Sequence, residues 1–130
     1  EIWLNEGFAT WAEWRWAAEA GGRTTAEQFA KKAATPAGES DFWNPPPAAL
    51  HGPEQMFSDS VYDRGAMALE ALRQEVGDAD FYAILRRWAA EHAYANATTA
   101  ELIALSEQQS GEQLDELFAT WLYEPGKPIP

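Results

Sequence analysis

Two carboxylates near the start of the chain, Glu6 and Glu13, stand seven residues apart. On a helix that spacing is nearly two full turns, so both project from one face. Carboxylate oxygen is an ordinary zinc ligand, but a catalytic zinc needs three protein ligands and an open position. The chain has two histidines, His51 in Leu50-His51-Gly52-Pro53 and His92 in Glu91-His92-Ala93-Tyr94. Neither belongs to a His-Glu-x-x-His pair, which puts two imidazoles on one helix face with a general base between them. Both read as surface or partly buried histidines. With no cysteine in the chain, thiolate catalysis, disulfides and cysteine-based zinc fingers are excluded.

The elements that must position these side chains are helices. Leu4, Phe8 and Trp11 form a stripe at 4-then-3 spacing beside the carboxylate face. Trp3, Trp14 and Trp16 leave little of that helix polar, so it calls for burial on several sides. Gly21-Gly22 stops it, and Thr24 with Glu27 reads as a capping box for a short second helix carrying Phe29 and Ala33. Residues 35–58 hold Pro36, Gly38, Pro45-Pro46-Pro47, Gly52 and Pro53, which forbid a long helix. A loop of that length either lines a cleft or is a proline-stiffened connection packed on the helices.

Val61, Gly65, Leu69, Leu72 and Val76 then mark a long amphipathic helix ended by Gly77. Asp78 can cap the next, with Phe81, Ile84, Leu85 and Trp88 as its stripe, and Asn96 supplies a turn before the Thr98/Glu101 capping box. Ser110-Gly111-Glu112-Gln113 is expected to cap a last helix bearing Leu114, Leu117, Phe118, Trp121 and Leu122. Residues 124–130 read as an exit linker. No alternating β pattern is present. The reading is one all-α domain over 1–130, an irregular bundle of about six helices.

Hydrophobic residues make up 46% of the chain and charged residues 23%, a globular balance. The net charge of −12 argues against nucleic acid and against an anionic membrane surface. No run approaches a membrane span. A soluble protein is expected, with the compartment open between cytoplasm and secretion.

Trp3-Leu4-Asn5-Glu6-Gly7-Phe8-Ala9 resembles the segment carrying the third zinc ligand in the aminopeptidase N-like (membrane alanyl aminopeptidase) family of gluzincin zinc metallopeptidases. Ser60-Val61-Tyr62-Asp63-Arg64-Gly65-Ala66 resembles that family's second landmark, a tyrosine followed by an acidic-basic pair and Gly-Ala at the head of a long helix. The ending, Leu117-Phe118-Ala119-Thr120-Trp121-Leu122 through Pro125-Gly126-Lys127-Pro128, is similar to the close of the catalytic domain.

The resemblance implies the α-helical C-terminal subdomain of a thermolysin-like catalytic domain. Glu6 is then the zinc ligand and Tyr62 the donor to the substrate carbonyl, whose oxygen gains negative charge as water attacks. Glu13 is implied as a carboxylate behind the site, holding a zinc-binding histidine by its other N–H. The His-Glu-x-x-His helix is expected before Glu1, outside this chain. Asp63 and Arg64 could hold Tyr62 or contact substrate, and are expected as a helix-surface pair.

Gly65-Ala66-Met67-Ala68-Leu69 is similar to the family's amine-binding motif, but Ala68 stands where its glutamate would be. The implied whole is a zinc-dependent aminopeptidase acting on peptides, of which this piece alone is inactive. Its exposed edge is expected to bury Trp residues against the missing half and to self-associate artificially without it. The alternative is a non-catalytic helical module whose Trp-rich helix binds a partner.

Overall fold

The computed structural model describes residues 1–92 and 96–129. The architecture is all-α: α1 (Ile2–Glu19), α2 (Thr25–Ala33), α3 (Ser40–Trp43), α4 (Asp59–Val76), α5 (Asp78–His92), α6 (Thr99–Ser110) and α7 (Asp115–Phe118). The last of these runs on as a π-helical turn over Ala119–Tyr123. Helix α4 is central: α1, α2, α3, α5 and the α7–π segment all pack on it. Val61, Ala66, Met67, Ala68, Leu69 and Leu72 are buried along it, as its apolar period requires.

The helix ends follow local chemistry. Thr24 caps α2 by accepting from the Glu27 amide at 3.1 Å, while Glu27 reaches back to the Thr24 amide at 2.9 Å. Thr98 likewise accepts from the Glu101 amide at the start of α6. Gly77 and Gly111 end α4 and α6 with φ of 85° and 74°, a region open to glycine without a Cβ clash. Ser110 therefore closes α6 rather than opening the last helix, which begins at Asp115 after Leu114.

Three further expectations change. Residues 35–58 hold helix α3 and a 3₁₀ turn at Pro53–Gln55. The segment both packs and lines a cleft: Trp43, Pro46 and Pro47 are buried, while Asp41, Asn44, His51, Phe57 and Asp59 border a shared hollow. Residues 124–129 are no free linker, because Pro128 is buried and Gly126 is bonded on both sides, its amide to Asn44 Oδ1 at 2.8 Å and its carbonyl to Arg64; residue 130 lies outside the described residues. The tryptophans, finally, are mostly spent inside this chain. Trp3, Trp11, Trp14, Trp43 and Trp121 are buried, and Trp16 alone of the seven is widely exposed, at 78%. A Trp-rich exposed helix, the premise of the interaction-module alternative, is not what α1 presents.

Buried polar ties hold the helices in register. Trp3 Nε1 donates to Thr99 Oγ1 at 2.8 Å, joining α1 to the start of α6. Glu70, on α4 and fully buried, accepts from Trp11 Nε1 at 3.0 Å, from Arg73 Nη2 at 2.5 Å and from Gln74 at 3.1 Å. Arg73 also reaches Asp78 at 2.7 Å, spanning the α4–α5 corner. Burial alone would raise the Glu70 carboxyl, but hydrogen bonds from Arg73, Trp11, Gln74 and Thr25 outweigh it and hold the group below the usual glutamate range.

Replacing Glu70 with Gln should therefore destabilise the chain by about 2–3 kcal/mol at neutral pH, the scale of charge-assisted hydrogen bonds lost. Because the folded pKa is depressed, this contribution is full above the ordinary glutamate range and disappears as pH falls through the folded value. Urea denaturation of both proteins across acid pH should show the gap closing; a constant gap would mean that the Glu70 carboxyl has the same pKa folded and unfolded.

Candidate active site

Glu6 lies about one turn into α1 and is half-buried. No ion pair engages it among the described residues. A half-buried carboxylate of this kind suits a divalent metal, since carboxylate oxygen is a normal zinc ligand. Glu13 follows on the same face, about 10 Å further along the axis at 1.5 Å per residue, and is exposed beside Ala9, Ala12 and Trp16. Among the described residues, no three His, Asp or Glu side chains converge into a metal-holding group. His51 is exposed in the loop. His92 stacks on Trp88, with centroids 3.9 Å apart, and faces Glu101 of α6 at 3.5 Å.

What places Glu6 is the residue after it. A Cβ added to Gly7 would lie 3.1 Å from the Gly65 carbonyl carbon and 3.1 Å from the Trp3 ring. A Cβ on Gly65 would lie 3.3 Å from Gly7 Cα. Helices α1 and α4 thus touch backbone to backbone, closer than side chains on either glycine would permit. Tyr62 sits one turn before Gly65 and is half-buried. Chaining the contact with standard Cα spacings bounds the Glu6 and Tyr62 α-carbons to within about 14 Å, a gap that two long side chains can close upon a shared ligand.

The turn carrying Tyr62 is tied down on each side. Ser60 Oγ donates to the Pro45 carbonyl at 2.6 Å. Asp63 pairs with Lys32 of α2 at 3.5 Å; burial pushes its carboxyl upward, and Lys32 pulls part of the way back. Arg64 is not the surface partner of Asp63 that the sequence suggests. Its side chain is fully buried and donates to five backbone carbonyls: Trp43 (2.7 Å), Thr120 (2.9 Å), Trp121 (2.8 Å), Glu124 (2.5 Å) and Gly126 (3.0 Å). Burial lowers the guanidinium pKa to about 10, still charged at neutral pH. The signal for this existed: Arg64 is three residues after Val61 and four before Ala68, on the buried side of α4. Glu70 had no such signal beyond its Arg73 and Gln74 neighbours at helical spacing.

The Peptidase family M1 domain matches residues 1–121. The chain belongs to peptidase family M1. Aminopeptidase M1-D of Oryza sativa subsp. japonica is 31% identical over 142 residues, covering 98% of this chain and 15% of that protein. Tricorn protease-interacting factor F2 of Thermoplasma volcanium is 27% identical over 144 residues, covering 99% of this chain and 17% of that protein. The crystal structure of an M1 zinc metallopeptidase from Deinococcus radiodurans superposes with a TM-score of 0.77 at 32% identity, covering 100% of this chain and 28% of that one. A mutant M1 zinc metallopeptidase from the same organism, bound to a Tyr-Ser-Ala substrate, gives a TM-score of 0.77 and 32% identity, with 100% and 28% coverage. The chain thus spans about 15% of the length of the plant relatives it matches. Within the M1 fold it supplies the Asn5-Glu6-Gly7 helix, the Tyr62 helix and the backbone contact between them.

That contact is open to test. Gly7→Ala gains up to about 1 kcal/mol of helix propensity but forces Cβ into backbone and an indole ring, an overpacking cost of about 1–3 kcal/mol. Gly65→Ala meets the looser distances and should cost less. Thermal melts should rank wild type first, Gly65→Ala second and Gly7→Ala last; equal midpoints would mean that the helices separate freely at the crossing.

Proposed function

We propose that this chain carries one zinc ligand and the carbonyl-polarising tyrosine of an M1 aminopeptidase that removes N-terminal residues from peptides. The observation that carries the reading is the Gly7–Gly65 contact, which brings the Glu6 turn of α1 against the Tyr62 turn of α4 in a chain whose family match spans both motifs.

In this reading Glu6 would hold the metal through its carboxylate, together with two histidines from a His-Glu-x-x-His helix outside these 130 residues. When bound, zinc supplies Lewis-acid chemistry to peptide hydrolysis. Tyr62 donates its phenolic O–H to the scissile carbonyl oxygen, where negative charge grows during attack and a fixed donor stabilises the transition state more than the ground state. Glu13 accepts the second N–H of a zinc-binding imidazole, fixing its tautomer; its exposure on the same face of α1 as Glu6 leaves it free to do so. The general base and the residue that grips the substrate amine lie outside this chain.

In the full-length enzyme, Tyr62→Phe should lower kcat by about 10²–10³-fold, the cost of one oxyanion donor, with zinc content unchanged. Glu6→Gln should remove bound zinc together with activity, whereas Glu13→Gln should weaken zinc affinity by about 10–100-fold, the range for an outer carboxylate partner. Metal analysis and aminoacyl-reporter kinetics on the three variants check all of this. Full turnover in Tyr62→Phe would remove the tyrosine from the mechanism, and unchanged zinc in Glu6→Gln would remove the ligand. The 130-residue chain by itself should not hydrolyse the reporter above a metal-free blank.

A further inference from the structure

Tyr62 is held from behind. At about 100° per residue, Arg64 lies about 200° around α4 from Tyr62, and Ser60 about 160° around it, so both point away from the phenol. Gly65 falls on one flank, against Gly7, and Asp63 on the other, paired with Lys32. The remaining direction is the one in which the Tyr62 ring projects. Of these supports Arg64 is the most extensive. Its donors gather carbonyls from three stretches of chain: Trp43 at the end of α3, Thr120 and Trp121 in the π-helical turn, and Glu124 and Gly126 beyond it.

The arrangement resists rotation of α4 about its own axis. A phenolic oxygen stands about 9 Å from the axis of its helix, so a 10° turn carries it about 1.5 Å. A misplacement of about 1 Å in a catalytic group can cost about 10²-fold in rate. An apolar side chain at 64 could fill the same space, but only a planar fork with several donors fixes the helix against separate carbonyls at once.

We infer that Arg64 is a positioning residue for Tyr62: by binding the α3 terminus and the π-helical turn, it sets the rotation of α4 and so the placement of the phenol relative to Glu6. This rests on the proposed role of Tyr62, and the test separates the two. Arg64→Lys keeps the charge and loses the fork; Asn44→Ala leaves Arg64 intact but frees Gly126, whose amide Asn44 holds and whose carbonyl Arg64 uses. Each is made in the full-length enzyme, alone and combined with Tyr62→Phe, and kcat, KM and zinc content are measured per folded molecule.

Arg64→Lys is expected to lower kcat by about 10–100-fold with KM and zinc little changed, and Asn44→Ala to lower it less. In the Tyr62→Phe background both losses should shrink to within about threefold, because the positioned group is gone. Equal losses in the two backgrounds, or losses that follow zinc content, would overturn the inference and leave Arg64 a structural residue. If Arg64→Lys fails to fold, Asn44→Ala decides by the same comparison. A Tyr62→Phe enzyme with full turnover overturns the phenol's role directly, before either second substitution is considered.

Discussion

Two glycines set how closely the first helix approaches the central one. With no side chain at Gly7 or Gly65, α1 and α4 meet backbone to backbone, and the Trp3 ring covers the contact from the side. The rest of the fold is arranged about that point. Further along both helices, Trp11 reaches the buried carboxylate of Glu70. Toward their beginnings, Trp3 ties α1 to Thr99 and so to α6. The two candidate functional residues sit beside the same contact, Glu6 immediately before Gly7 and Tyr62 one turn before Gly65. A crossing wider by one methyl on each helix would shift the two turns that carry them relative to each other.

The interior carries charge without forming simple ion pairs. Glu70 is satisfied by a mixture of cation, indole and amide donors, so its carboxylate stays ionised despite burial. Arg64 has the opposite problem and a different solution: a guanidinium without a buried carboxylate, its charge solvated by carbonyl dipoles. The C-terminal end of a helix offers such dipoles, because its last four C=O groups have no partner within the helix and the macrodipole is negative there. Arg64 takes those of Thr120 and Trp121, while the Ala48 amide takes that of Leu122. One side chain thereby caps the last helix and anchors the first turns of the central one.

Much of this was legible in the order of residues. The helices of α1, α2, α4, α5 and α6 and the Thr24 and Thr98 caps follow from spacing and local chemistry, while the Glu6 and Tyr62 motifs rest on a family resemblance, with which the family match agrees. The misreadings share a cause. Charge favours a surface position for Arg64 although its period is that of the core; the partners that make burial tolerable lie 21 and 56 to 62 positions away in the chain, invisible to local pattern. Proline density hid α3, which packs on α4 and carries the buried Trp43. The tryptophans suggested an uncovered surface because hydrophobic periodicity reports that a face is buried and not by what. Ser110 is a cap residue by type, and it was Gly111, with its left-handed backbone, that decided which helix it belonged to.

The acceptors of Arg64 are all main-chain oxygens, and this has a consequence for how the sequence can drift. A clamp built from side-chain carboxylates would tie several positions together, each able to break it by substitution. Here the donor position is restricted to one residue type, while Trp43, Thr120, Trp121 and Glu124 offer the same carbonyl whatever side chain they bear, provided that the backbone path is kept; Gly126, at a φ of 79°, keeps that path as glycine. The surface of the closing segment can therefore change in charge and shape while the turn beneath Tyr62 stays where it is.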